Sequence, residues 1–164
     1  FLMRKKYSIV LILMVWLFSI TACSRKELPE AGLEIKDFST EWLVVNYWAS
    51  WCKPCIKEIP ELNKLHQSRK EITVVGVNYD GLSGEELAIE SSKLGINFPN
   101  LSSDPSSALG TNRPIVLPTT MIVDKNLKLR DKLIGPQTLE SISFSIMKAS
   151  KDLKYEKSNT VISP

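Results

Sequence analysis

Histidine is almost missing from this sequence: His66 is the only one, and cysteine occurs just three times, as Cys23, Cys52 and Cys55. A structural zinc site usually needs four ligands, and neither a second Cys-x-x-Cys nor a histidine pair is present to complete one. Long apolar runs are also lacking. The stretch IVLILMVWLFSI near the start has 12 residues, against about 20 for a comfortable membrane span. Acidic residues are absent before Glu27, while Arg4, Lys5 and Lys6 lie in the first ten positions. Without those three, the 21 basic and 18 acidic residues reduce to 18 against 18. The net charge therefore belongs to the leader. No basic surface for nucleic acid remains, and the other lysines read as solvated charge. Trp42, Tyr47 and Trp48 read as core or rim, not as a platform for stacking bases. No internal repeat or low-complexity tract is present, and GLSG lacks the length and the lysine of a phosphate loop.

What is present begins with a leader. MRKKYS is a positive region, the apolar run follows, and ITAC ends it at Cys23. This order reads as a secretory signal. Small residues before a cysteine resemble the bacterial lipobox, and the resemblance implies a diacylglyceryl group on the Cys23 thiol and cleavage just before it. The competing reading is an uncleaved anchor helix with an incidental cysteine. In either case the folded part is exported and tethered, and Met3 is the expected start. The boundaries follow: 1–22 a lipoprotein signal peptide, 23–32 a lipidated polar linker, 33–150 a single domain, and 151–164 a polar, frayed tail.

Within the domain, strand-like and helix-like segments alternate. LEIKDF is predicted to be a short strand. WLVVNYWA is a continuous apolar, β-branched and aromatic run that suits a buried central strand. In KPCIKEIPELNKLHQSR, Ile56, Ile59, Leu62 and Leu65 recur at spacings of three, and Pro60 should kink that helix. ITVVGVNY is a second buried strand. SGEELAIESSKLG is a helix, with Ser83 as its N-cap and Gly95 as its stop. A loop-rich stretch follows, with one helical turn over 106–109. TTMIVD and KLRDKLIG form a hairpin joined at Lys125 and Asn126. PQTLESISFSIMKASK is a last amphipathic helix. The fold class is α/β: a mixed central sheet with helices on both faces.

Cys52 follows a buried strand and opens a helix. Unpaired N–H groups and the positive end of the macrodipole favour a thiolate there. Pro54 suits the first helical turn, where its missing N–H costs nothing. The thiolate is the attacking species, so a lowered pKa makes Cys52 reactive. Cys55, one turn on, is within reach to resolve a mixed disulfide. Lys53 adds a positive charge beside the site. Other readings stay open at this point. A structural disulfide closing so small a loop would constrain the unfolded chain little. A copper- or haem-handling site would need His66, Met121 or an external ligand beside the pair.

Trp51 to Cys55, WCKPC, resembles the active-site motif of the thioredoxin superfamily. LPTT (Leu117 to Thr120) resembles its cis-proline loop, and LIG (Leu133 to Gly135) its late glycine. With NYWASWCKPC, GVNYD and FPNLSSD, the chain is most similar to the TlpA/ResA-type membrane-tethered thiol–disulfide oxidoreductases, over roughly 33–150. The resemblance implies a thioredoxin-like fold, with Cys52 as nucleophile and Cys55 as resolving thiol. Trp51 would shape the entry, supported by Lys53, Pro54 and Thr119. Pro118 would be cis beside the cysteines, and the Leu117 backbone would pair with an extended substrate segment. Asn46 stands where cytoplasmic thioredoxins carry a buried aspartate. An asparagine cannot take a proton from Cys55, so another acid or water takes that role, and Asp80, Glu85 and Glu86 are the candidate acids. No cofactor or metal is implied. The expected partners are protein thiols and disulfides, with a membrane electron donor, in the periplasm or extracytoplasmic space of a bacterium. The implied direction is reduction, for example in cytochrome c maturation. The rivals are a metal- or haem-binding module on the same fold and a thiol-dependent peroxidase.

Overall fold

β1 (Trp42–Trp48) is the central strand, and each of its residues is buried. It is flanked on both sides. β2 (Ile72–Asn78) runs parallel to it, with Trp42 opposite Ile72 and Trp48 opposite Asn78. β3 (Thr119–Asp124) runs antiparallel, with Asn46 opposite Thr120. β4 (Leu129–Ile134) completes the order β2-β1-β3-β4. A parallel pair needs a crossover. Here α1 (Lys53–Ser68) supplies it, then α2 (Gly84–Lys93) follows β2 and α3 (Leu139–Thr160) follows β4. The computed structural model describes residues 32–160. The leader, Cys23 and most of the linker, together with the last four residues, lie outside them.

Side chains alternate across a strand, so β1 divides the core in two. Val44 and Trp48 pack with Cys55, Ile59 and Leu62 of α1, Leu87 of α2 and Ile142 of α3. Leu43, Val45 and Tyr47 face the other way and meet Ile35, Leu101 and Leu109. All three α-helices thus contribute to the first cluster. The second face is closed by a 3₁₀ turn, Ile35–Asp37, and by the loop that carries one helical turn between Pro105 and Gly110.

Three local outcomes differ from the sequence pattern. LEIKDF is not a strand. The Glu34 N–H donates to Asp37 Oδ2 at 2.8 Å, which closes a capping turn and removes a donor that a strand ladder would need. The polar tail is not frayed at Asp152: α3 continues to Thr160. Leu153 packs against the same cluster as Ile142 and Ile146, and Glu156 meets Arg130 Nη1 at 3.4 Å. The loop after α2 makes one strand-like bridge, where Asn100 runs parallel to Gly76. Its amide side chain accepts from Trp48 Nε1 at 2.9 Å. A Cβ at position 76 would lie 2.1 Å from Asn100 Oδ1 and 2.8 Å from Trp48 Nε1, so a side chain there would have to displace that hydrogen-bonded pair.

Candidate active site

The chain leaves β1 at Trp48, turns through Ala49 and Ser50, and enters α1 at Cys52. Cys52 is the N-cap residue, and its Sγ accepts from the Cys55 backbone N–H at 3.3 Å. One of the donors that a helix start leaves over is therefore aimed at sulfur. Cys52 and Cys55 form a disulfide, with their Cα atoms 5.3 Å apart. Both cysteines are buried, but not equally placed. A groove of about 420 Å³ is lined by Trp51, Cys52, Lys53, Pro54, Tyr79, Ile115 and Leu117. Cys52 lines it and Cys55 does not, so a partner in the groove meets Cys52.

The groove has an apolar rim. Trp51 is 62% exposed and Ile115 92%. Exposed apolar side chains at that level around a reactive sulfur mark an interaction surface. Leu117 lines the groove, and the Leu117–Pro118 peptide bond that follows is cis. Pro118 itself is buried, and its carbonyl accepts from the Gly135 N–H at 2.9 Å. Thr119 Oγ1 donates to the Val116 carbonyl at 2.8 Å, which ties the loop to the first residue of β3.

Of the acids singled out in the sequence, Asp80 comes to the rim. Its carboxylate accepts from Trp51 Nε1 at 3.0 and 3.1 Å. Glu85 and Glu86 are exposed in the first turn of α2 and do not line the groove. The buried acid is a different residue, Glu58, only 2% exposed. It lies three positions after Cys55 on the inward face of α1, so the two side chains are neighbours on the helix surface. Its Oε1 accepts from Asn46 Nδ2 at 2.7 Å, and its Oε2 from the Gln137 N–H at 2.7 Å. Burial pushes the Glu58 carboxyl up from its usual range to about 7, against the pull of the Gln137 and Asn46 hydrogen bonds. Asn46 also donates to Thr120 Oγ1 at 3.1 Å. The position that holds an aspartate in cytoplasmic thioredoxins therefore still serves a carboxylate, one supplied by the facing helix. The sequence signal for Glu58 is its place in the buried stripe of α1, one turn after Cys55.

The donors that a metal- or haem-handling site would need are elsewhere. His66 Nδ1 accepts from the Val74 N–H at 3.3 Å. Met121 belongs to the cluster on the other side of the sheet from the cysteines.

Known proteins are similar to this chain. The sequence model described as the AhpC/TSA family matches residues 18–132. The thiol-disulfide oxidoreductase ResA of Bacillus anthracis is 32% identical over 120 residues, which span 71% of this chain and 68% of that protein. The thiol:disulfide interchange protein HelX of Rhodobacter capsulatus is 30% identical over 121 residues, 73% of this chain and 66% of that one. Among solved structures, the thioredoxin-related protein from Neisseria meningitidis serogroup B superposes with a TM-score of 0.58 at 20% identity, over 73% of this chain and 92% of that one. The fold is thioredoxin-like, and with the family match covering most of its length, the chain belongs to the AhpC/TSA family.

Proposed function

We propose that this thiol–disulfide oxidoreductase works as a reductant of protein disulfides outside the cytoplasm. The observation that carries the mechanism is the placement of the two sulfurs. Cys52 opens onto an apolar groove at a helix N-terminus, while Cys55 lies behind it, one turn along α1. In the dithiol form, the Cys52 thiolate attacks a client disulfide. One client sulfur leaves as a thiolate, and a mixed disulfide joins Cys52 to the other. The Cys55 sulfur then attacks Cys52 Sγ, releases the second client thiolate and forms the Cys52–Cys55 disulfide. Two electrons pass from the dithiol to the client.

The second step requires Cys55 to lose its proton inside the protein. Glu58 is suited to accept it. The side chain is buried, adjacent on α1, and raised to about 7, where a carboxylate is both present and basic enough to take a proton. Asn46 and the Gln137 N–H hold its two oxygens in place. Trp51, Lys53, Pro54, Leu117, Pro118 and Thr119 shape the entry, and the Leu117 backbone pairs with an extended client segment. The leader pattern supports a tether through a lipid on Cys23 and work in the bacterial envelope, where a membrane electron donor would restore the dithiol. The thiol–disulfide activity in the relatives' names favours disulfide exchange over a peroxidase.

Two variants test the assignment of the sulfurs. The probe is the symmetric disulfide dimer of an extended apolar peptide with one cysteine. Cys55→Ser should trap a stable Cys52–peptide adduct, visible by mass, and Cys52→Ser should trap none. An adduct on Cys52→Ser and none on Cys55→Ser would reverse the roles.

A further inference from the structure

Arg113 lies outside the cysteine motif and the cis-proline loop, yet it joins the two walls of the groove. One wall is Trp51 with Tyr79, whose rings meet edge to face with centroids 6.4 Å apart. The other is the segment from Ile115 to Leu117 that leads into Pro118. Arg113 precedes that segment, two residues before Ile115. Its guanidinium carbon sits 4.2 Å above the centre of the Tyr79 ring. Its Nη2 donates to the Tyr79 carbonyl, and its Nε meets Asp104 Oδ2 at 3.0 Å.

Asp104 is itself anchored in the core. Its Oδ1 accepts from the Tyr47 hydroxyl at 2.7 Å and from the Ser106 N–H at 2.9 Å. Burial alone would raise the Asp104 carboxyl. The Ser106 and Tyr47 hydrogen bonds and the Arg113 charge outweigh it and hold the carboxyl below its usual value. Tyr47 is fully buried in β1, five residues before Cys52. A continuous set of contacts therefore runs from β1 through Asp104 and Arg113 to Tyr79, Trp51 and Asp80. A planar, multiply donating cation is suited to this, because it can stack on a ring while its edge serves a carboxylate and a carbonyl. Lysine offers one point charge and no fork.

We propose that Arg113 is a specificity-determining positioning residue: it clasps the Tyr79–Trp51 wall to the Ile115–Leu117 wall and so sets the width of the groove that admits an extended client segment. This rests on the disulfide-exchange reading above. Arg113 touches neither sulfur, so it acts on how a large client sits and not on the thiol chemistry. A disulfide small enough to reach Cys52 without filling the groove is indifferent to it.

The test compares two probes on the pre-reduced, desalted protein. One is the peptide disulfide dimer described above, and the other is bis(2-hydroxyethyl) disulfide, which is small and neutral. Arg113→Met keeps the apolar stem and removes the fork, and Arg113→Lys keeps the charge alone. Arg113→Met should slow exchange with the peptide about tenfold, chiefly by raising the peptide concentration that half-saturates the single-turnover rate, while the small disulfide reacts within about twofold of wild type. The midpoint potential of the Cys52–Cys55 couple should not move. Arg113→Lys should fall between and keeps the test open if the methionine variant does not fold. Equal losses with both probes would make Arg113 a scaffold residue, and unchanged rates with both would remove it from the groove; either result overturns the proposal. A wild-type protein that exchanges with neither probe would instead defeat the oxidoreductase mechanism beneath it.

Discussion

Glu58 is the residue on which the chemistry of the second cysteine turns. Its folded-state carboxyl is raised to about 7 from an ordinary value of 4.5, and burial is the main cause. The folded protein therefore holds this proton more tightly than the unfolded chain. The stability it gives is full below about pH 4.5 and is lost as the pH rises through about 7. The size of that loss is on the order of 3 kcal/mol. Glu58→Gln should flatten this part of the pH profile in urea unfolding of the disulfide form. It should also slow release of the peptide from the mixed disulfide while leaving its formation nearly unchanged. An unchanged release rate would take Glu58 out of the mechanism. Gly76 makes a separate residue-scale prediction. A methyl group there would collide with Asn100 Oδ1 and Trp48 Nε1. Gly76→Ala should cost about 1–3 kcal/mol by overpacking, read as a lower urea midpoint with an unchanged slope.

At the scale of elements, α3 reaches further than its apolar stripe suggests. Its last turns are held by Leu153 against the core and by Glu156 against Arg130, which also donates from Nε to Asp124 Oδ2 at 2.7 Å. Ending the chain after Lys151 should lower stability by about 1–2 kcal/mol, since it deletes one half-buried leucine, and should reduce helical circular dichroism. No loss of helix would show that this part of α3 is not formed in solution. Elements are readable from sequence where local pattern decides them. β1 and β2 show as unbroken apolar runs, and α1 is marked by its stripe and by Pro54 in its first turn. Elements decided by a distant partner are not readable. The turn at Ile35 to Asp37 depends on Asp37 reaching back to the Glu34 backbone, and Leu153 counts as core only once α3 lies on the sheet. Glu58 is readable only in part: its place in the α1 stripe shows in the sequence, but its partners do not. Its partners Asn46 and Gln137 are 12 and 79 residues away in sequence. Short-range pattern points instead to Asp80, Glu85 and Glu86, of which Asp80 touches a groove residue, Trp51.

At the scale of the whole molecule, the antiparallel pairing of the central strands puts the end of β1, the start of α1 and the start of β3 at one end of the sheet. That end carries Cys52, the Leu117–Pro118 bond and the Arg113 clasp together. The leader adds a prediction at this scale. Full-length protein made in a bacterium with lipoprotein processing should partition into detergent and carry an acylated Cys23, while Cys23→Ala should lose the acyl mass. An unmodified Cys23 in the membrane-bound protein would favour the uncleaved anchor.

The central claim is that the Cys52–Cys55 pair acts as a reductant, and its reduction potential tests this most directly. The protein from Ser24 onward would be equilibrated against graded dithiothreitol or glutathione couples and read by tryptophan fluorescence, with Trp51 beside the disulfide as reporter. The expected value is near that of thioredoxin, about −270 mV. A value near −120 mV, roughly the range of a strong oxidant, would contradict the reductant reading and assign the pair to disulfide formation.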